Sequence, residues 1–408
     1  MSNRVIFHID VNSAFLSWEA MDRLAQGETV DLRDIPSIVG GDRESRHGIV
    51  LAKSIPAKKY GIRTAEPIVD ALRKCPDLVC VPARHKLYSQ CSRRFIQVLS
   101  RFAPVIEQVS VDEAFADMTG TARLFGPPLE AAARIKDTIH QELGFTVNVG
   151  ISSNKLLAKM ASDFEKPDKI HTLFPEEIPQ KMWPLPVGDL FTVGRSTEQQ
   201  LRQLGIRTIG DLAHTDPALL RARFKKQGDT LWHFANGHDD RPVAAEPDVA
   251  KSYGNETTLA HDITDFDEAC SILLSLSESV AARLRADQVT AHCITVKYTD
   301  YRFVQQSHQR SLNSATNVTE EIYQTAVSLL REMWANRIPL RLLGVSASRL
   351  DDCDAFYQYN LFDGDKHDRL EKLDSAIDSI RGRYGSGAIQ RGRFLPSQTD
   401  DKKRPPSH

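Results

Sequence analysis

Two acidic segments, each at the end of a strand-like run, constrain this chain more than anything else in it. His8-Ile9-Asp10-Val11-Asn12 follows Val5-Ile6-Phe7, and Ser110-Val111-Asp112-Glu113-Ala114 follows Val105-Ile106 and Val109. Acids at the ends of core strands are costly to desolvate unless positive charge meets them. Three carboxylates converging on one sheet would repel each other, and hard divalent cations are the natural remedy. Mg²⁺ takes oxygen ligands and keeps positions open for substrate phosphates. Two such ions can activate an attacking oxygen and stabilise a leaving one, so the pattern points to metal-assisted phosphoryl transfer. Neighbouring acids on a strand point to opposite faces. Asp112 and Glu113 can therefore share an ion only at a bend or a strand end. For Asp10 taken alone, an ordinary acid at a strand end stays an open reading.

The rest of the composition narrows the class. A chain of 408 residues is too long for one ordinary core, so several domains are expected. Its 52 Lys and Arg against 54 Asp and Glu give a net charge of −2, which does not advertise nucleic acid. A polyanionic partner would need basic residues concentrated on one face. The six cysteines are scattered, without C-x-x-C pairs or zinc spacing. They fit reduced thiols in a reducing cytosol. No signal peptide and no bilayer-length apolar run is visible, so a cytoplasmic location without membrane contact is expected.

Along the chain, Ser13 to Ala20 opens a helix that Gly27 stops. Residues 28 to 75 read as a small strand-and-helix insert. A helix from Lys86 to Phe102, the acidic hairpin, a helix from Pro128 to Leu143, a strand from Phe145 to Ile151 and a helix from Asn154 to Ala161 follow. This order suggests an open α+β sheet with helices on one face. From Pro175 to about Arg241 the pattern is all-helical. Phe191-Thr192-Val193-Gly194 and Leu204 to Leu212 place tight turns between short helices, whose N-termini can offer N–H groups to phosphates. Beyond a link at 242–249, a third unit reads strand, helix, two strands, helix, strand. Arg302, Arg310, Arg341 and Arg349 lie on its expected strands, where one face could track a nucleic-acid backbone. Solvation of an open sheet face is the other reading of these arginines.

The combined pattern resembles the Y-family, or translesion, DNA polymerases, of the bacterial polymerase IV type. The matching segments are Asp10 to Phe15, Gly40 to Glu44, Ser110 to Phe115, Gly150 to Lys155, Ala158 to Asp163, Lys166-Pro167, Gly205 to Leu212 and Lys251 to Thr257. The resemblance covers residues 1 to about 350 in order. It implies an α+β multidomain right hand. A ferredoxin-like palm would span 1–19 and 81–170, small fingers 20–80, and a helical thumb with helix-hairpin-helix turns 171–241. A linker would follow at 242–249, a βαββαβ little finger at 250–351 and a tail at 352–408. It further implies a monomer adding dNMP to a primer 3′-hydroxyl on template DNA, with low fidelity. Asp10, Asp112 and Glu113 would hold two Mg²⁺ ions, or Mn²⁺, with the Val11 carbonyl as a further ligand. Phe15 matches the steric-gate aromatic that rejects a 2′-hydroxyl, although periodicity alone reads it as core. Lys58 and Lys166 would face the triphosphate, although Lys166 alone passes for a solvated helix-end lysine. Gly194 and the four arginines would meet DNA.

Several positions depart from the polymerase IV pattern. Ala52, Ile55 and Lys58 stand where that pattern carries Thr, Tyr and Arg. Two hydroxyl donors and one forked guanidinium are thereby lost, and Lys does not replace a fork. Asn12 replaces a second aspartate. Asn12, Ala52 and Lys58 resemble the UmuC branch, which points to a variant fingers chemistry. Lys-Pro-Asn-Gly becomes Lys166-Pro167-Asp168-Lys169, and Thr192 replaces the first glycine of a thumb hairpin. Ile49 and Leu51 hint at a tight template pocket.

Gly40-Gly41-Asp42-Arg43-Glu44 has a superficial likeness to the signature of cyclic-dinucleotide cyclases, a reading that leaves 175–350 unexplained. A silent DNA-binding or scaffolding relative would have no reason to keep three mutually repelling acids. In the tail, Gln358-Tyr359-Asn360-Leu361-Phe362 resembles the bacterial sliding-clamp pentapeptide, with Gln358, Leu361 and Phe362 as its anchors. Packing of Leu361 and Phe362 on their own chain is the alternative, since Asp368 to Tyr384 reads as an amphipathic helix in need of a partner.

Overall fold

The structure, a computed structural model, describes residues 4–41, 48–246, 249–352, 364–385 and 387–392. The chain divides into two compact units near residue 249. The first begins with β1 (Ile6–Val11), α1 (Ala14–Ala25) and β2 (Ser37–Gly40). Next come β3 (Val50–Lys53), α2 (Ile55–Lys59), α3 (Ile68–Lys74), β4 (Val79–Pro82) and α4 (His85–Leu99). Then follow β5 (Val105–Gln108), β6 (Glu113–Asp117), α5 (Ala122–Phe125), α6 (Pro128–Leu143), β7 (Val147–Ser152), α7 (Lys155–Ser162) and β8 (Ile170–Thr172). The helices α8 (Ile178–Lys181), α9 (Arg195–Gln203), α10 (Ile209–His214), α11 (Pro217–Phe224) and α12 (Lys226–Ala235) complete it.

A five-stranded sheet in the order β5-β6-β1-β7-β8 carries the acids, with β1 at its centre. Alternation along β1 sends Phe7, Ile9 and Val11 into the main core, with Phe95 of α4 and Ile135 and Ile139 of α6. The opposite face does not stay bare. The notion of helices on one face only is corrected by α7, which lies on the side of Ile6, His8 and Asp10. Gly150 of β7 explains how. A Cβ there would sit 2.0 Å from the Ala158 carbonyl oxygen and 2.4 Å from the Ser162 nitrogen, so only glycine lets α7 lie directly on the sheet. Asn154 caps α7 by accepting from the Leu157 N–H at 2.9 Å. Asp239 adds a second cap by accepting from the Leu156 N–H at 3.0 Å.

A small sheet in the order β3-β2-β4 forms the insert. Its third strand, Val79–Pro82, pairs parallel to β2 and straddles the boundary at 80/81 read from the sequence. The segment read as a linker starts as part of the first unit. Val243 is buried, and the Ala244 N–H donates to Glu107 at 2.9 Å.

The second unit runs β9 (Ser252–Ile263), α13 (Phe266–Ala286), β10 (Val289–Asp300), β11 (Gln305–Thr316), α14 (Thr319–Met333) and β12 (Leu340–Asp352). It ends in α15 (Gly364–Tyr384). Its antiparallel sheet, in the order β11-β10-β12-β9, buries Ile294, Val296, Leu343 and Val345 under α13 and α14. The amphipathic tail helix finds its partner here. Asp374 of α15, nearly fully buried, accepts from the Thr319 N–H at 2.7 Å and from Arg285 at 3.1 Å. It thereby supplies the cap that Val318 cannot give α14.

Candidate active site

Strand register brings the acids together. Asp10 on β1 stands directly opposite Glu113 on β6, and His8 opposite Phe115. Asp10 and Glu113 thus share the face under α7. Asp112 lies in the bend just before β6, which is the strand end that two neighbouring acids required. Ser110 fixes it by donating to Asp112 Oδ1 at 2.6 Å, and the Val11 N–H donates to the Asp112 carbonyl at 3.0 Å.

Two lysines answer the charge. Lys166 Nζ is bonded to Asp10 Oδ2, and Lys159 of α7 donates to Glu113 Oε1 at 3.0 Å. Burial pushes the Asp10 carboxyl above its ordinary value in spite of Lys166. The His8 ring first, and then Lys159, hold the Glu113 carboxyl down at about 2 against the opposing effect of burial. His8 itself, fully buried, is pushed down by desolvation. Burial works to lower the Lys166 ammonium, but Asp10 and Asp163 outweigh it and raise it.

As these side chains stand, no three His, Cys, Asp or Glu groups among the described residues are gathered closely enough to hold an ion. One oxygen each of Asp10 (Oδ2) and Glu113 (Oε1) is taken by an ammonium group. The donor set itself fits a hard divalent cation. Asp10, Asp112 and Glu113 offer only oxygens, and the buried Asp10 carboxylate, with its raised pKa, calls for more positive charge than one lysine gives.

Asp10 and Asp112, though not Glu113, border a cleft of about 510 Å³, lined by Asp10 to Ser17, Arg33, Leu51 to Ile55, Lys58, Thr64, Asp112, Thr146, Lys166 and Pro167. Lys58 and Lys166 therefore face one space, as does Leu51, whereas Ile49 is not part of the lining. Phe15 on α1 lines it too, while also packing against the main core. Only partly buried, it stacks on Tyr88 at 4.4 Å between ring centres and meets His85 edge-on at 6.2 Å. Tyr88 is held in turn by donating to Glu19 at 2.8 Å, and fully buried Glu19 is paired with Arg84.

Sequence reading missed this Tyr88–Glu19–Arg84 support, because its members lie far apart on α1 and before and in α4. It also missed Asn148 of β7, whose amide donates to the carbonyls of Ser162 at 3.0 Å and Glu165 at 2.6 Å. Asn148 thus anchors the loop that carries Lys166 to Asp10. The Lys166-Pro167 peptide is cis. Asp168 takes the left-handed conformation, φ 62°, and is tied to Lys136 at 3.0 Å. Both amide atoms of Asn12 are buried and without a partner among the described residues.

In the helical part, Gly194 caps α9, and a Cβ there would meet nothing within 4 Å. Thr192 adopts φ 79°, a conformation that favours the glycine it replaces. In the second unit the expected row of arginines is broken up. Arg302 is on the β10–β11 turn rather than a strand, forked onto Asp300 at 2.8 and 3.1 Å. Arg310 pairs across from core residue Ile294, faces α14 and binds Ser328 and Glu332. Arg341 lies over Phe303 at 4.8 Å, and Arg349 donates to Ser311 at 3.0 Å. The face turned away from the helices presents Thr295, Lys297, Ser307, Gln309, Ser346 and Ser348 instead. Gly40 and Gly41 sit at the end of β2, in a different sheet from the acids. Gln358, Leu361 and Phe362 lie outside the described residues, as do Asp42 to Glu44.

A central, largely antiparallel sheet with paired acids on adjacent strands, a cleft that Phe15 lines and a helical region with tight turns is the architecture of a palm-type polymerase. Comparison agrees along the chain. The impB/mucB/samB family matches residues 9–163, its C-terminal domain residues 250–361, and the thumb domain of DNA polymerase-iota residues 188–239. The chain belongs to the Y-family DNA polymerases. A protein named DNA polymerase IV from Clostridium acetobutylicum is 46% identical over 97% of this chain and 99% of its own length. Another of that name, from Alkaliphilus oremlandii, is 38% identical over 96% of this chain and 99% of its own. A solved Y-family DNA polymerase chimera superposes with a TM-score of 0.74 at 24% identity, covering 85% of this chain and 98% of that one.

Proposed function

We infer that this chain is a template-directed DNA polymerase of the translesion class, adding dNMP to a primer 3′-hydroxyl. The observation that carries the reading is the pairing of Asp10 with Glu113 across β1 and β6, with Asp112 at the adjoining bend, beside an open cleft in a chain of this family. Asp10, Asp112 and Glu113, with the Val11 carbonyl, would hold two divalent ions, Mg²⁺ in the first place. When bound, such ions lower the pKa of the attacking hydroxyl and neutralise charge on the triphosphate.

The chain's own residues supply position. Lys166 and Lys58 turn toward the triphosphate, with Lys58 as a point charge rather than a guanidinium fork. Phe15, backed by Tyr88, closes the space in which a ribose 2′-hydroxyl would sit. We assign the palm to 1–19 and 81–170, fingers to 20–80, thumb to 171–241 and little finger to 250–351. Gly194 and the open sheet face, with Arg341 and Arg349 at its margin, are proposed to meet DNA. The enzyme is proposed to work as a cytoplasmic monomer that joins the bacterial sliding clamp through Gln358, Leu361 and Phe362. Among the described residues no helix is long and apolar enough to cross a membrane.

Primer extension with Mg²⁺ on undamaged and lesion-bearing templates tests the reading, with Asp112→Ala as control. Incorporation on both templates that drops about a thousandfold or more in the control is expected, since ion contacts to the reacting oxygens supply several kcal/mol. DNA binding without incorporation by the parent chain would make it a silent binding module.

A further inference from the structure

The two lysines that cover the acids share a third carboxylate. Lys166 Nζ lies 2.9 Å from Asp163 Oδ1, and Lys159 Nζ lies 3.7 Å from Asp163 Oδ2. Each lysine is thus bracketed, Lys166 between Asp10 and Asp163, Lys159 between Glu113 and Asp163. Asp163 stands at the C-terminal end of α7, where the helix presents the negative end of its dipole. An acid there works against the helix. Its side chain is 48% exposed and adds nothing to the core. Neither helix stability nor packing accounts for it, whereas the two ammonium groups do.

The arrangement has a consequence for ion binding. Lys166 and Lys159 must let go of Asp10 and Glu113 before divalent ions can use those oxygens. Without another carboxylate, both ammonium groups would be released from partly buried positions with no counter-charge, and they would compete with the ions. Asp163 lies within reach of both and outside the row of metal-binding candidates.

We propose that Asp163 is a positioning residue for nucleotide addition: it takes over Lys166 and Lys159 when divalent ions displace them from Asp10 and Glu113. It keeps Lys166 at the mouth of the cleft, aimed at the triphosphate, instead of back on Asp10. The proposal rests on the reading of Asp10, Asp112 and Glu113 as the metal ligands. Asp163 itself touches neither ion nor substrate.

The test is Mn²⁺ binding to the full chain, followed by electron paramagnetic resonance. A dideoxy-terminated primer-template and the matching dNTP are present, so that no turnover occurs. Asp163→Asn removes the charge and keeps the shape. It should weaken Mn²⁺ binding by about three- to tenfold, the range for a partly exposed ion pair with more than one partner. Asp163→Glu should restore binding to near the parent value. In extension assays the Asp163→Asn defect should recover as Mg²⁺ is raised. A merely structural role would leave Mn²⁺ binding unchanged, because removing an acid from a helix C-terminus does not unfold it. Unchanged binding in Asp163→Asn, with binding lost in Asp112→Asn, would overturn this proposal and leave the metal site standing. Unchanged binding in Asp112→Asn as well would remove the metal-site reading and the proposal together.

Discussion

At the scale of single residues, the site depends on side chains held by others. Phe15 is the clearest case. Its ring is fixed by Tyr88, which is fixed by the buried Glu19–Arg84 pair. Phe15→Ala should therefore admit ribonucleotides, raising rNTP relative to dNTP incorporation on the order of a hundredfold, the range over which sterics alone reject a hydroxyl. Single-nucleotide kinetics with both substrates measure it, and unchanged discrimination would return Phe15 to the core. Glu113 gives a second residue-scale expectation. Its carboxyl is held at about 2 against an ordinary 4.5, so folding favours the charged form. The stabilisation is present above pH 4.5 and is lost as the pH falls from there toward 2. Glu113→Gln lacks this component, and its acid unfolding should be shallower across that window. Parallel slopes for variant and parent in denaturant titrations from pH 5 to pH 2 would contradict this.

Elements explain why some of this could be read beforehand and some could not. The helix from Pro128 to Leu143 was legible at both ends, because Pro at its start and Gly144 after it are local signals. The bend at Asp112 followed from the two-residue period of a strand. The position of α7 did not. Its apolar residues show that it is buried, but the face it covers is decided by Gly150, a neighbour in space that pattern reading passes over. Arg310 failed for the same reason. Strand period placed it on β11, but only the register with Ile294 tells which side it faces. If α7 depends on Gly150, then Gly150→Ala should drive the helix off the sheet. Its Cβ would meet backbone atoms that cannot rotate away. A loss of about 3 kcal/mol is expected, with nucleotide addition weakened in the fraction that still folds, because Lys159, the partner of Glu113, moves with α7. Urea unfolding monitored by far-ultraviolet circular dichroism gives the stability. A loss below about 0.5 kcal/mol would mean that α7 has room to spare.

For the whole molecule, family membership spans both units, and the acids, the cleft and the turns of the helical region are features of the first. The segment from 353 to 363 joins β12 to α15, and α15 is fastened to α13 and α14 through Asp374 and Arg285. The pentapeptide falls within this segment of the sequence, outside the described residues. The double variant Leu361→Ala, Phe362→Ala should keep distributive synthesis on bare primer-template and lose the stimulation given by loaded sliding clamp. Persisting stimulation would reassign those two side chains to internal packing.

The central claim is that Asp10, Asp112 and Glu113 perform one task, nucleotide addition to a primer. It is tested most directly by measuring pre-steady-state incorporation of one dNTP, together with primer-template affinity, for the three single alanine variants. The account predicts that each variant loses addition by about a thousandfold or more while binding DNA within a few-fold of the parent. Near-normal addition by any one of the three would contradict it.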